Sequence, residues 1–157
     1  MSADTATDRG LAVEPGWINV VETRAGRFAA QLLDGRHRLI ADEPTAAGGN
    51  DLGPGPYELL LMALGACKTM TVRLYAERKQ WPLDRVTVRL RHSRIHAEDC
   101  AECETKEGML DRIECVVELG GTLDATQRAR LFEISGKCPV HRTLTSEISI
   151  QSRLQDG

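Results

Sequence analysis

The sequence predicts one domain that combines an antiparallel meander, further strands and two helices, and three observations predict it. The chain has 157 residues, within the usual span of a single domain. Short strand-like runs divided by turn residues fill its first quarter and much of its second half. Between them, from Pro56 to about Lys79, lies a largely apolar stretch of helical length with no proline after its start.

Residues 1–14 are polar and read as a disordered lead-in, which leaves 15–157 as the domain. Strand character begins at Trp17 and runs to Thr23. Arg24 to Arg27 read as a turn, and Phe28 to Leu33 as the return strand. Asp34-Gly35 is a tight-turn dipeptide, and His37 to Ala41 complete a three-stranded meander. Asp42 to Pro56 form a loop rich in Gly and Pro. It lacks the Lys-Ser/Thr of a phosphate-cradling loop, and its prolines remove amide donors.

The first half of the Pro56–Lys79 helix is apolar all round, the mark of a helix buried on every side. Its second half carries Lys68, Arg73, Glu77, Arg78 and Lys79 and is expected to emerge into solvent. From Val86 to Ile95 the chain alternates, with Val86, Val88 and Leu90 set against Arg85, Thr87, Arg89 and Arg91, as a half-buried strand does. A charged loop containing cysteines, His96 to Glu107, precedes a second strand over Met109–Leu119. Thr122 or Asp124 opens a helix over about 125–135, which Gly136 closes. Cys138-Pro139-Val140-His141 reads as a fresh helical turn, and Leu144 to Leu154 as a last strand.

Charge and targeting narrow the function classes. The formal net charge of -3 gives little counterion release on DNA or RNA, which argues against a nucleic-acid partner. No basic segment leads into an apolar one at the start. The longest apolar run, Leu59 to Cys67, is far short of the ~20 residues of a membrane span. A soluble, cytoplasmic protein with no membrane partner is expected. In reducing cytosol its five cysteines call for burial, redox chemistry or metal binding.

Three cysteine settings differ. Cys67 follows Gly65-Ala66 inside the apolar helix, where a free thiol commonly packs as a small hydrophobe. Cys138 precedes a proline suited to the first helical position, which makes it an N-cap. Helix-end amides there, with Lys137 and Arg142 nearby, favour thiolate. His141 follows three residues on. His96, Cys100 and Cys103 have metal-ligand spacing and are a candidate zinc set, with His92, Glu104 or a residue of another subunit as a fourth ligand. The same Cys-x-x-C pair could instead be a redox dithiol. Cys115 lies in a strand and reads as core.

Two stretches resemble the OsmC/Ohr family of thiol peroxidases. One is Gly53-Pro54-Gly55-Pro56-Tyr57-Glu58-Leu59 through Gly65-Ala66-Cys67; the other is Cys138-Pro139-Val140-His141-Arg142-Thr143-Leu144. The order of elements fits the family from about Trp17 to Ile150. The resemblance implies an α+β fold whose antiparallel sheets wrap long central helices in an intertwined homodimer. It implies cysteine-based reduction of organic or inorganic hydroperoxides, an antioxidant role in oxidative stress. Cys67 would become a sulfenic acid and then a Cys67–Cys138 disulfide, reduced by an external thiol, with no cofactor required.

Peroxidase members hold the thiolate with an early-strand arginine and a glutamate ten residues before the cysteine. Arg24 is the leading candidate for the arginine, ahead of Arg27. At the ten-residue spacing stands Tyr57, and Glu58 is nine residues before Cys67. That spacing puts Glu58 ~13.5 Å along the axis and ~180° round from Cys67, so it would reach a sulfur only across a dimer axis. The His96–Cys103 segment lies outside the basic peroxidase pattern and is similar to another OsmC-like branch. Two other readings stand beside the enzyme: a metal-binding or redox-sensing protein centred on His96, Cys100 and Cys103, and a protein that binds a small ligand at the dimer cleft.

Overall fold

β1 (Asn19–Glu22), β2 (Ala30–Leu33) and β3 (Arg38–Ala41) form the expected meander. β1 and β2 pair antiparallel from Asn19 opposite Leu33, and β2 and β3 from Ala30 opposite Ala41. These positions come from a computed structural model that describes residues 12–154. Most of the expected lead-in, residues 1–11, lies outside them. Residues 12–14 are tied to the meander instead, with Asn19 donating to the Ala12 carbonyl at 3.1 Å and Trp17 to that of Glu14 at 3.0 Å. The chain gathers into two units, Met1–Leu59 and Leu60–Gly157.

In the first unit the Asp34-Gly35 turn works as its sequence predicts. Gly35 takes a φ of 88°, open to glycine at little cost. The Asp34 carboxylate accepts the His37 ring at 2.8 Å and the Arg36 and His37 amides at 2.8 and 2.6 Å. Those bonds, the His37 ring first, hold its carboxyl far below the usual range. The loop after β3 closes around Asp42, which is buried. Burial disfavours its charge, but amides of Glu43, Asn50 and Leu52 outweigh that and hold its carboxyl below the ordinary value.

In the second unit α1 (Pro56–Arg78), which begins in the first, packs on a long two-stranded ribbon. The ribbon pairs β4 (Leu83–His96) with β5 (Met109–Gly121), both longer than the sequence suggests. Arg89–Glu118, Arg91–Glu114 and His92–Asp111 bridge its strands. α2 (Ala125–Ser135) opens with a capping box in which Asp124 accepts the Gln127 amide at 2.8 Å and Gln127 accepts that of Asp124 at 3.0 Å. Val72, Ala76, Leu83 and Leu131 are its buried core, with Tyr75, Trp81, Val86, Leu119 and Leu123 packed around them. The short α3 (Pro139–Leu144) has Cys138 as its N-cap, as predicted.

Three expectations are corrected. The first half of α1 is not buried on every side of this chain: Tyr57, Leu60 and Met62 are exposed. An apolar surface shows only that a helix can be covered, and within one chain α1 buries a single stripe. Lys68, expected in solvent, lies in that stripe and is buried. Leu144 closes α3, and residues 145–154 are not a strand, because no strand pairs with them among the described residues. At 23 residues α1 is also long and apolar enough, by length and composition alone, to cross a bilayer. The short run Leu59–Cys67 understates it, since Gly, Lys and Thr interrupt the run without ending the helix.

Candidate active site

Cys67 is half-buried on α1, and Cys138 is wholly buried at the start of α3. The fold brings them together through the first turn of α3. The Val140 amide donates to Cys67 Sγ at 3.4 Å, and the His141 amide donates to Cys138 Sγ at 3.4 Å. Pro139 has no amide to offer, so the first two N–H groups of the helix are divided between the two sulfurs. Both sulfurs therefore stand at the same turn of backbone.

Lys68, next in sequence to Cys67, is 3% exposed. Its Nζ donates to the Ser135 carbonyl at 3.0 Å, at the last residue of α2, and lies 3.3 Å from His141 Nδ1. An ammonium has no acceptor, so His141 accepts at Nδ1 and its ring is neutral in this pairing. Burial, and then the Lys68 charge, push the His141 imidazole below its ordinary value.

At Cys138 burial works against the thiolate that the helix end favours. Burial pushes its thiol up; the His141 amide works against this, the Cys67 side chain adds to it, and Lys68 opposes it. An N-cap amide favours thiolate, but it acts on one face of the sulfur while burial strips water from all of it. Lys137, counted as a nearby cation, is bound to Glu133.

The other predicted residues have settings of their own. Glu58 belongs to the first unit, where it accepts the Gly55 amide at 2.8 Å and caps the start of α1. Arg24 is exposed in the β1–β2 turn of that unit with a φ of 56°. At the tip of the ribbon Cys100 and Cys103 are joined in a disulfide with Cα atoms 5.4 Å apart. This corrects the zinc set: sulfurs bonded to each other are not thiolate ligands. Among the described residues no group of three or more His, Cys, Asp or Glu comes together to hold an ion. His96 ends β4 without joining such a group. Cys115 is free and half-buried in β5.

Sequence reasoning missed Lys68 as a member of the site. The signal was its spacing. Leu64, Lys68, Val72 and Ala76 recur every four residues along α1, and all four are buried. A lysine in register with three apolar residues belongs to the buried face whatever its charge.

A buried thiol, a half-buried thiol beside it and a lysine at the junction of three helices define a dithiol protein of mixed helix and antiparallel sheet. Residues 48–153 match the OsmC-like protein family, and the chain belongs to it. Solved structures share the fold. An OsmC-like protein from Mycoplasma pneumoniae is 22% identical, with 82% of this chain and 85% of that one covered and a TM-score of 0.63. OhrB of Bacillus subtilis, an organic hydroperoxide resistance protein, is 20% identical over 82% and 89%, with a TM-score of 0.55. An organic hydroperoxide resistance protein from Legionella pneumophila is 19% identical over 82% and 88%, with a TM-score of 0.58. No curated protein matches the chain.

Proposed function

We propose that the protein is a thiol peroxidase that reduces organic hydroperoxides with Cys67 as nucleophile and Cys138 as resolving thiol. The observation that carries this reading is the pairing of two free cysteines, from helices far apart in sequence, across the first turn of α3. Membership in a family that includes organic hydroperoxide resistance proteins supports it.

The half-buried sulfur is the one a substrate can meet, and the wholly buried sulfur acts second. Cys67 thiolate attacks the terminal peroxide oxygen. An S–O bond forms, the O–O bond breaks, sulfur loses two electrons, and the leaving alkoxide takes a proton to become the alcohol. The Cys138 thiol then attacks the sulfenic acid sulfur, and water leaves as the disulfide forms. Two equivalents of an external thiol restore both cysteines. Sulfur supplies all of this chemistry, so no metal or organic cofactor takes part. The resemblance gives Arg24 and Glu58 the task of holding the Cys67 thiolate, Glu58 from across a dimer axis.

Single-turnover reduction of an organic hydroperoxide by the reduced protein, followed by thiol counting and peptide mapping, tests the proposal. One equivalent of peroxide should remove two thiols and yield a Cys67–Cys138 disulfide. Cys67→Ser should consume none, and Cys138→Ser should complete one turnover and leave a sulfenic acid on Cys67. Equal consumption by the wild type and Cys67→Ser would overturn the assignment.

A further inference from the structure

Lys68 is a buried cation without an anion. Its two hydrogen-bond partners, the Ser135 carbonyl and the neutral His141 ring, are uncharged. Among the described residues no carboxylate pairs with it. Buried charges are ordinarily paired, and the C-terminal end of α2, where Ser135 stands, supplies only a partial negative charge. His141, which Lys68 touches, donates its amide to Cys138 Sγ, and Val140 before it donates to Cys67 Sγ, so both thiols stand at the turn of α3 that Lys68 meets. A neutral imidazole cannot supply the missing charge, but a thiol can.

We propose that Lys68 is the counter-cation of one negative charge carried by the cysteine pair, with that charge on Cys67 and the proton on Cys138. The geometry places the charge. Cys67 Sγ accepts the Val140 amide, and its half-buried position keeps it partly hydrated. Cys138 is shut away from water and is the better place for a proton. Lys68 is thus a positioning residue: it sets which sulfur is ionised and leaves the attack to Cys67. The site then has a cation of its own on the residue after the nucleophile.

This inference deepens the peroxidase reading and rests on it for its purpose, but its test needs no peroxide. The rate of Cys67 labelling by iodoacetamide, read by peptide mapping across a range of pH, reports thiolate at that sulfur. Lys68→Met and Lys68→Gln remove the charge and keep most of the side-chain length, and either one that folds serves. Each should slow Cys67 labelling about tenfold or more at neutral pH, and the deficit should close at alkaline pH, where the thiol ionises unaided. Lys68→Arg should retain most of the rate. A structural role alone would change labelling equally at every pH. Neutral variants with a wild-type pH profile would overturn the charge pairing whatever the peroxidase assay gives. A shifted profile in a protein that consumes no hydroperoxide would keep the pairing and remove the peroxidase function.

Discussion

Cys138 and His141 titrate in opposite senses on folding, and together they bound the pH range in which the site is stable. The His141 imidazole is pushed down by burial and the Lys68 charge, so below about pH 6.5 the unfolded chain takes up a proton that the folded site refuses. Stability therefore falls as pH drops through that window. The Cys138 thiol is pushed up by burial, so above about pH 8.5 the unfolded chain releases a proton that the folded site keeps. Stability falls again as pH rises. Thermal denaturation across pH should show both flanks, and Cys138→Ser should flatten the alkaline one while sparing the acid one. An unchanged alkaline slope in that variant would mean that another group titrates there. Part of this chemistry was legible in the sequence: Cys138-Pro139 announces an N-cap, and the structure has one. The burial that opposes the effect of that cap was not legible, because a cap is read from adjacent residues and burial is not.

The helices and the glycine-bearing loop show how far a pattern along the chain reaches. Gly65 and Gly53 look alike in sequence and differ in what they face. A methyl group at Gly65 would come 2.9 Å from the tip of the Leu90 side chain, which can turn aside. At Gly53 it would stand 2.0 Å from the Ile40 carbonyl oxygen, which is backbone and cannot. Gly65→Ala should therefore fold with stability within ~1 kcal/mol of wild type, the helix propensity of alanine offsetting a small repacking cost. Gly53→Ala should open the loop around Asp42. Denaturant melts of the two variants check the order, and equal losses would mean that the Leu90 side chain is as fixed as the backbone. In the core, Leu131→Ala removes a side chain with no exposure and should cost ~2–5 kcal/mol. The meander, the ribbon, α1 and α2 were all legible, because turn dipeptides, alternation and caps are local signals. The segment 145–154 was misread because Ile148 and Ile150 alternate with polar residues as a strand would. A strand also needs a neighbour, which alternation does not reveal.

On the scale of the whole molecule, the apolar surface left uncovered has to be explained. Tyr57, Leu60, Met62, Met70 and Leu74 along α1 are exposed, and so are Ile148, Ile150 and Leu154 near the end of the chain. Single exposed apolar residues are ordinary, but a run of them along one helix is not. Obligate interfaces resemble a domain core cut in half, and α1 has that character, with one stripe buried by its own chain and the rest bare. A second copy is the partner that the intertwined dimer of the resemblance supplies. It would cover the bare faces of α1 and give residues 146–154 a strand to pair with. Sedimentation should therefore find a dimer down to low micromolar concentration. Met62→Glu and Leu74→Glu place charges on exposed helix positions that a monomer would tolerate within ~0.5 kcal/mol. In a dimer that buries them they should dissociate or unfold the protein. Both variants are needed, because a single charge can find a path to water at the rim of an interface. Wild-type stability in both variants, together with a folded monomer, would leave the exposed face of α1 without a partner of its own kind.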